Sequence, residues 1–357
     1  MTLSVPAGAK HKDGRPMKIV PVVEAEGMVL CHDITQIVPG KFKGRAFKKG
    51  HVVSKEDIPK LRDLGKEHLY VWEISEDRLH ENDAALRIAQ AVAGAGIGLT
   101  EPVEGKVSLK AQIRGCLKVD PVVLESINDI DEVLVSTLHS NQVVDPSCTV
   151  AGCRVVPLVV DAAKVRRVEE LCRASGPIIA VKPLRSLQVG IVTTGSEVFH
   201  GRIKDQFGPV IQKKLEDLGS RVIRQILVPD NTAMIVDAIQ TLIQEGAEMV
   251  IATGGMSVDP DDLTPGAIRA AGGQVVSYGA PVLPGSMFLL AYIGKVPVLG
   301  APGCVMYHKT TIFDLILPRI LAGEEITRKD IVRLGHGGLC LECESCRFPD
   351  CAFGKGS

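Results

Sequence analysis

The sequence predicts an α/β protein: a three-layer domain with a parallel sheet covered by helices on both faces, preceded by smaller mixed α+β units. Two observations carry this. From Leu187 onward, short apolar runs alternate with longer amphipathic stretches, each closed by glycine; that is the pattern of strands joined by crossover helices. Upstream of Leu187 the alternation is irregular and strand candidates sit between close-set turns. At 357 residues the chain is long for one hydrophobic core, so two or three domains are expected.

Residues 1–17 are polar and rich in Lys, His and Gly, and read as a disordered lead-in. Residues 18–80 form a small α+β accessory unit: an extended run from Lys18, a helix at 57–64 stopped by Gly65, and a strand at 69–72. Residues 81–186 form a mixed α/β middle unit. It opens with an amphipathic helix at 83–93 and a turn at Gly94, Gly96 and Gly98, continues with strands at 105–111, 132–137 and 154–160, and ends with a helix at 165–174. The regular domain, 187–325, has strands at 188–194, 221–228 and 248–253 and helices at 210–218 and 232–245. An apolar pair at 287–293 and 296–299, split by Gly294-Lys295, predicts a hairpin, and a helix at 307–321 closes the domain. Residues 326–357 are a cysteine-rich tail with too few apolar residues to fold by packing alone.

Ligands of such sheets bind on the loops beyond the carboxyl ends of the strands. Three loops there are short, polar and glycine-bearing: Thr193-Thr194-Gly195-Ser196-Glu197, Thr253-Gly254-Gly255-Met256-Ser257 running on to Asp262 and Pro265, and Gly300-Ala301-Pro302-Gly303-Cys304. Glycines let backbone N–H groups approach an anion, a helix N-terminus adds favourable dipole charge, and acidic residues can hold Mg²⁺. Any one loop could be a plain tight turn, with Asp230 or Asp262 serving only to cap the helix that follows. Together, on one edge of one sheet, they predict a site.

Composition bounds the function. A net charge of −1 argues against general nucleic-acid binding, and 45% hydrophobic with 23% charged residues is ordinary for a soluble globular protein. No stretch has the form of a secretory signal or the length to span a bilayer, so a cytoplasmic protein is expected.

Thr194-Gly195-Ser196-Glu197, the Gly201–Asp205 segment, Thr253-Gly254-Gly255-Met256-Ser257 and Asp262-Leu263-Thr264-Pro265 resemble the molybdopterin-binding domain, a Rossmann-like domain of molybdopterin molybdenumtransferases, gephyrin and molybdopterin adenylyltransferases. The Pro284-Gly285 and Pro302-Gly303 turns suit the molybdenumtransferase branch. The resemblance implies a molybdopterin or molybdenum-cofactor pocket on Thr194, Gly195, Ser196, Gly254, Gly255, Ser257, Pro284, Gly285, Pro302, Gly303 and Cys304. It implies Glu197, Asp230 and Asp262 as acidic residues for Mg²⁺ or catalysis, and a homodimer. The sequence departs from the branch at three places: Ser286-Met287 stands where Lys-Pro is usual, Cys304-Val305 where Asn-Pro is usual, and Phe207 where Asn is usual. Two functions follow as alternatives: insertion of molybdate into adenylylated molybdopterin, or non-catalytic holding and delivery of the cofactor to an apo-molybdoenzyme. Cys304, at the expected opening of a helix, is either a thiolate favoured by the dipole or a small packing residue. His308 is read as an ordinary helix residue.

Of ten cysteines, Cys340, Cys343, Cys346 and Cys351 crowd the last eighteen residues. A disulfide framework would not gather at one end. Two Cys-x-x-Cys steps and a fourth cysteine resemble a ferredoxin-type loop with one residue more before the last cysteine, and predict zinc or an iron–sulfur cluster.

Overall fold

A computed structural model describes residues 18–38, 42–72, 77–156, 159–257, 259 and 262–356. The expected lead-in at 1–17 lies outside them. The chain forms two compact units, one from residues 1–110, 120–138 and 149–179, the other from 111–119, 139–148 and 180–357.

In the first unit, strand Lys18–Pro21 pairs antiparallel with His68–Trp72, which also pairs with Val29–Leu30. Val20, Leu30, Leu61, Leu69 and Val71 bury together beneath them. The expected helix after Ser54 is present as Asp57–Asp63. Burial works to raise the Asp57 pKa, but hydrogen bonds from His51 and from the Ser54 N–H and hydroxyl outweigh it and hold the carboxyl at about 2. Further along, strands Ile97–Leu99, Lys106–Ala111, Thr149–Val155 and Val133–Thr137 form a four-stranded sheet. Helices Glu81–Val92 and Ala162–Ser175 are joined by a two-pronged Arg87–Glu169 pair at 2.8 and 2.9 Å. The single strand expected at 154–160 is instead two, Thr149–Val155 and Val159–Asp161. The first ends before an exposed Val156, and the second pairs with Arg78–His80.

The second unit is built on six strands: β1 (Gln188–Thr194), β2 (Arg221–Val228), β3 (Met249–Thr253), β4 (Gln274–Tyr278), β5 (Leu289–Ile293) and β6 (Val296–Ala301). Their spatial order is β2-β1-β3-β6-β5-β4. β2, β1, β3, β6 and β4 all run one way and β5 alone runs against them, so the predicted hairpin makes an otherwise parallel sheet mixed. The reason is local. Gly294-Lys295 turns β5 directly back into β6, and a hairpin can join only antiparallel strands. β4, an edge strand with few buried residues, has a pattern too weak to predict.

The helices here are α1 (Ser196–Phe199), α2 (Phe207–Asp217), α3 (Thr232–Gln244), α4 (Thr264–Ala270), α5 (Ile312–Leu321) and α6 (Arg328–Arg333). Strand periodicity sorts the core into two faces. Ile191, Met249, Ile251 and Leu299 bury with Ile211 and Leu215 of α2 and Phe313 and Ile316 of α5. Val192, Val250, Ala252 and Val298 bury with Ile239 and Leu242 of α3 and Ile268 of α4. The result is the three-layer α/β arrangement that the sequence predicted.

The helix expected at 307–321 starts only at Ile312, because Thr311 and Asp314 close a capping box there. A short 3₁₀ turn, Gly303–Met306, precedes it. His308 therefore lies outside the helix. The tail also departs from expectation. Phe353 is buried in the core cluster of the sheet, with Phe348 packed against it edge-on at 6.4 Å, so packing does order part of it.

Candidate functional site

Strand register brings the predicted loops together. Thr193 of β1 lies opposite Thr253 of β3, Thr253 opposite Ala301 of β6, and Thr194 opposite Val228 of β2. Antiparallel pairing then sets Gly300 opposite Leu289 and Leu289 opposite Tyr278. The segments after β1, β2, β3, β4 and β6, and the segment before β5, thus leave the sheet along one edge. That edge carries every predicted pterin-site residue.

The tightest contacts join the first two loops. Gly254 and Gly255 have φ of +83° and +55°, a conformation L side chains rarely adopt. A Cβ on Gly254 would collide with the Thr194 carbonyl oxygen, and one on Gly255 would stand 2.8 Å from the Thr264 hydroxyl. Thr264 is fully buried; its hydroxyl donates to the Gly254 carbonyl at 2.9 Å and lies 3.3 Å from the Thr194 hydroxyl. Glycine here lets this cradle loop close directly on the Thr194 backbone and the Thr264 hydroxyl, and glycine turns of this kind can present main-chain N–H groups to anionic oxygens.

Asp230 accepts from the Ser196 N–H at 2.8 Å and from its hydroxyl at 2.9 Å, tying the loop after β2 to the start of α1. It does not cap α3, the alternative weighed for it. Asn231 does, accepting from the Met234 N–H at 3.1 Å. Asp262 accepts from the Asp259 N–H at 3.2 Å and makes no cap bond to α4. Glu197 is exposed, with its carboxylate beside Gly195.

Pro284 and Gly285 pack on the start of α5: the Ile312 N–H donates to the Pro284 carbonyl at 3.3 Å, and Gly285 lies against the Ile312 side chain. Pro302 is buried and Gly303 exposed. At Cys304, burial pushes the thiol pKa up, while a backbone hydrogen bond opposes it weakly. Of the two alternatives for this residue, the thiolate is therefore the less favoured. The residue opens a 3₁₀ turn of four residues, which has little dipole to offer.

Two residues of the site escaped the sequence reading. Tyr278 donates to the Ser257 and Met256 carbonyls, each at 3.1 Å, and burial followed by the Asp262 charge raises its pKa. Only the unforeseen β4 could have signalled it. Gln225 of β2 donates to the Thr193 hydroxyl at 2.8 Å and to Asp205 at 2.7 Å, while Asp205 caps α2. The Asp205 motif was visible in the sequence; its partner one strand away was not.

The tail cysteines meet at a separate place. Cys340, Cys343, Cys346 and Cys351 line one cavity of about 320 Å³, walled also by residues 307–310 and Phe348. The Thr310 and Cys346 side chains lie 3.5 Å apart, and that hydrogen bond is the main cause holding the Cys346 thiol below its ordinary pKa. The Glu342 N–H points at the Cys340 sulfur from 3.5 Å. Among the described residues, no group of three or more His, Cys, Asp or Glu side chains converges where a single ion could sit. No helix among them is long and apolar enough to cross a membrane.

This Gly/Thr/Ser-lined edge lies at the strand carboxyl ends, the place where ligands of open α/β sheets bind. Comparison with known proteins adds to this: residues 190–322 match the family described as "Probable molybdopterin binding domain". Residues 19–73 match a second family, described only as a domain of unknown function. The chain is similar to the molybdopterin molybdenumtransferase of Haemophilus influenzae, 32% identical over 165 residues that make up 44% of this chain and 40% of that one. A CinA-like protein of a Mycobacterium species is 37% identical over 79 residues, 22% of this chain and 19% of that one. The chain thus spans less than half the length of these curated relatives. Among solved structures, the molybdopterin biosynthesis moea protein of Pyrococcus horikosii is 15% identical with a TM-score of 0.33, covering 86% of this chain and 75% of that one.

Proposed function

We propose that this protein binds molybdopterin or the molybdenum cofactor on the carboxyl edge of its six-stranded sheet, in the maturation of that cofactor. The observation that carries the reading is the Gly254–Gly255 cradle against Thr194 and Thr264, inside the stretch that matches the family. Main-chain N–H groups of such a glycine turn suit the phosphate of a pterin, with Ser196, Ser257 and the Pro284-Gly285 and Pro302-Gly303 turns completing the pocket.

Insertion of molybdate into adenylylated molybdopterin would require Mg²⁺, which is commonly held by one or two carboxylates and by substrate phosphates. Glu197 and Asp262 suit that role better than Asp230, whose carboxylate is already engaged by Ser196. No three carboxylates converge among the described residues, and we derive no catalytic step through the metal. The engagement of Asp230, with Ser286 and Cys304 at the turn positions, favours the second reading: a cytoplasmic carrier, homodimeric as the resemblance implies, that holds the cofactor for an apo-molybdoenzyme.

Mass spectrometry of the small molecule released from gently purified protein tests the reading. A molybdopterin-derived species is expected; a nucleotide without a pterin would overturn it. Release of AMP on adding adenylylated molybdopterin, molybdate and Mg²⁺ would decide for the transferase over the carrier.

A further inference from the structure

We propose that the tail cavity holds an iron–sulfur cluster ligated by Cys340, Cys343, Cys346 and Cys351. The sequence spacing alone admits zinc equally well; the size of the shared cavity favours the larger group. Zinc takes four sulfurs each at about 2.3 Å in a tetrahedron, which requires neighbouring sulfurs within about 4 Å of one another. The thiols do not converge in that way on any single point. They stand instead around one shared cavity of about 320 Å³, room for a body several atoms across. A cluster fits that arrangement, because it presents separate irons to separate cysteines.

The surroundings match an anionic cluster. The Glu342 N–H points at the Cys340 sulfur and the Thr310 hydroxyl lies beside the Cys346 sulfur, each at 3.5 Å. Such bonds to ligating sulfurs stabilise their charge. Lys309 and Arg347 in the wall offset the charges of Glu342 and Glu344, and Phe348 and Phe353 add apolar surface. Each thiol gives up its proton as its sulfur bonds to iron.

The first ligand is already held in place. The Cys340 N–H donates to the Leu283 carbonyl at 2.8 Å, and the Leu283 N–H donates to the Gly338 carbonyl at 2.8 Å. Leu283 immediately precedes Pro284-Gly285, and the wall from Tyr307 to Thr310 continues from Cys304. The cluster therefore lies alongside two segments of the loop edge. It stands independently of the pterin reading, since it rests on the cysteines alone.

The full chain, purified anaerobically and reconstituted with ferric iron, sulfide and excess thiol in the absence of any pterin, provides the test. Bound iron, acid-labile sulfide and zinc are counted per chain. About four irons and four sulfides are expected, with a broad visible absorption that bleaches on reduction. Cys343 and Cys346 are exposed, so Cys343→Ala and Cys346→Ala should fold and melt as the parent does while losing most of the iron. One zinc per chain with iron excluded would overturn the proposal. So would four freely titratable tail thiols with neither metal bound, or iron retained in full by both variants.

Discussion

At the sheet edge, Thr194, Gly254 and Thr264 stand where strand register and buried hydrogen bonds put them, and the cradle is complete within the fold itself. Around the tail cavity, Cys340 is fixed by its pairing with Leu283 and Phe353 by burial, but Cys343 and Cys346 lie exposed between those anchors. The first arrangement is fixed throughout by the fold; the second is fixed at its ends and exposed between them. Substitutions should accordingly act on the two in different ways, the edge failing through geometry and the tail through its anchors.

The largest effect is expected at an anchor. Arg319 is buried and holds Glu324 at 2.9 Å and Asp330 at 2.7 Å, next to Leu334, Phe348 and Phe353. Arg319→Met leaves Glu324 with Lys118 alone and Asp330 with Thr327 alone, and should destabilise the sheet unit by about 3 kcal/mol, the low end for a broken buried pair, read by urea unfolding. Tail order should fall with it. A loss below about 1 kcal/mol would show that the charge cluster is not what secures the tail.

Asp230→Ala removes the acceptor of both Ser196 hydrogen bonds and should cost roughly 1.5–3 kcal/mol, since bonds to a charged acceptor are the stronger kind. It should weaken pterin binding and leave metal uptake by the tail unchanged. If tail metal falls in step with pterin, the two sites are not built separately.

Acid should act on both units. In each of Asp57 and Asp330, burial raises the pKa but hydrogen bonds prevail, from His51 and Ser54 in one and from Thr327 and Arg319 in the other; both carboxyls are held at about 2. A depressed folded pKa contributes stability that is complete above the unfolded value near 4 and is lost as pH falls through the folded value. Stability should therefore decline between about pH 4 and pH 2. Asp330→Asn should flatten that decline for the sheet unit, which circular dichroism against pH would show. The smallest effect is expected for Tyr278→Phe, about 1 kcal/mol or less from its bonds to Met256 and Ser257, seen as a modest rise in pterin dissociation constant.

The parallel core of the sheet was legible because β1, β3 and β6 are buried on both faces and read as continuous apolar runs. Gly254 and Gly255 were legible for a related reason, since their positive φ demands the residue type. What stayed hidden depends on distance through space. Tyr278 and Gln225 reach the site only across strand pairings, and β4 is half-exposed and poorly patterned. Of the two readings of Cys304, burial, which a sequence does not display, favours the packing residue over a thiolate at the weak dipole of a one-turn 3₁₀ segment. The late start of α5 turned on a capping box at Thr311 set inside an otherwise helix-compatible run.

The central claim is that the glycine cradle at the sheet edge is the pterin pocket, and titration of molybdopterin under anaerobic conditions into the parent and Gly255→Val tests it most directly. Valine at a φ of +55°, facing Thr264 and Thr194, should fill or distort the cradle. The expected result is saturable binding by the parent and an affinity weaker by roughly tenfold or more in the variant, with both proteins keeping a cooperative melting transition. Equal affinity in the two proteins, with the variant folded, would contradict the account.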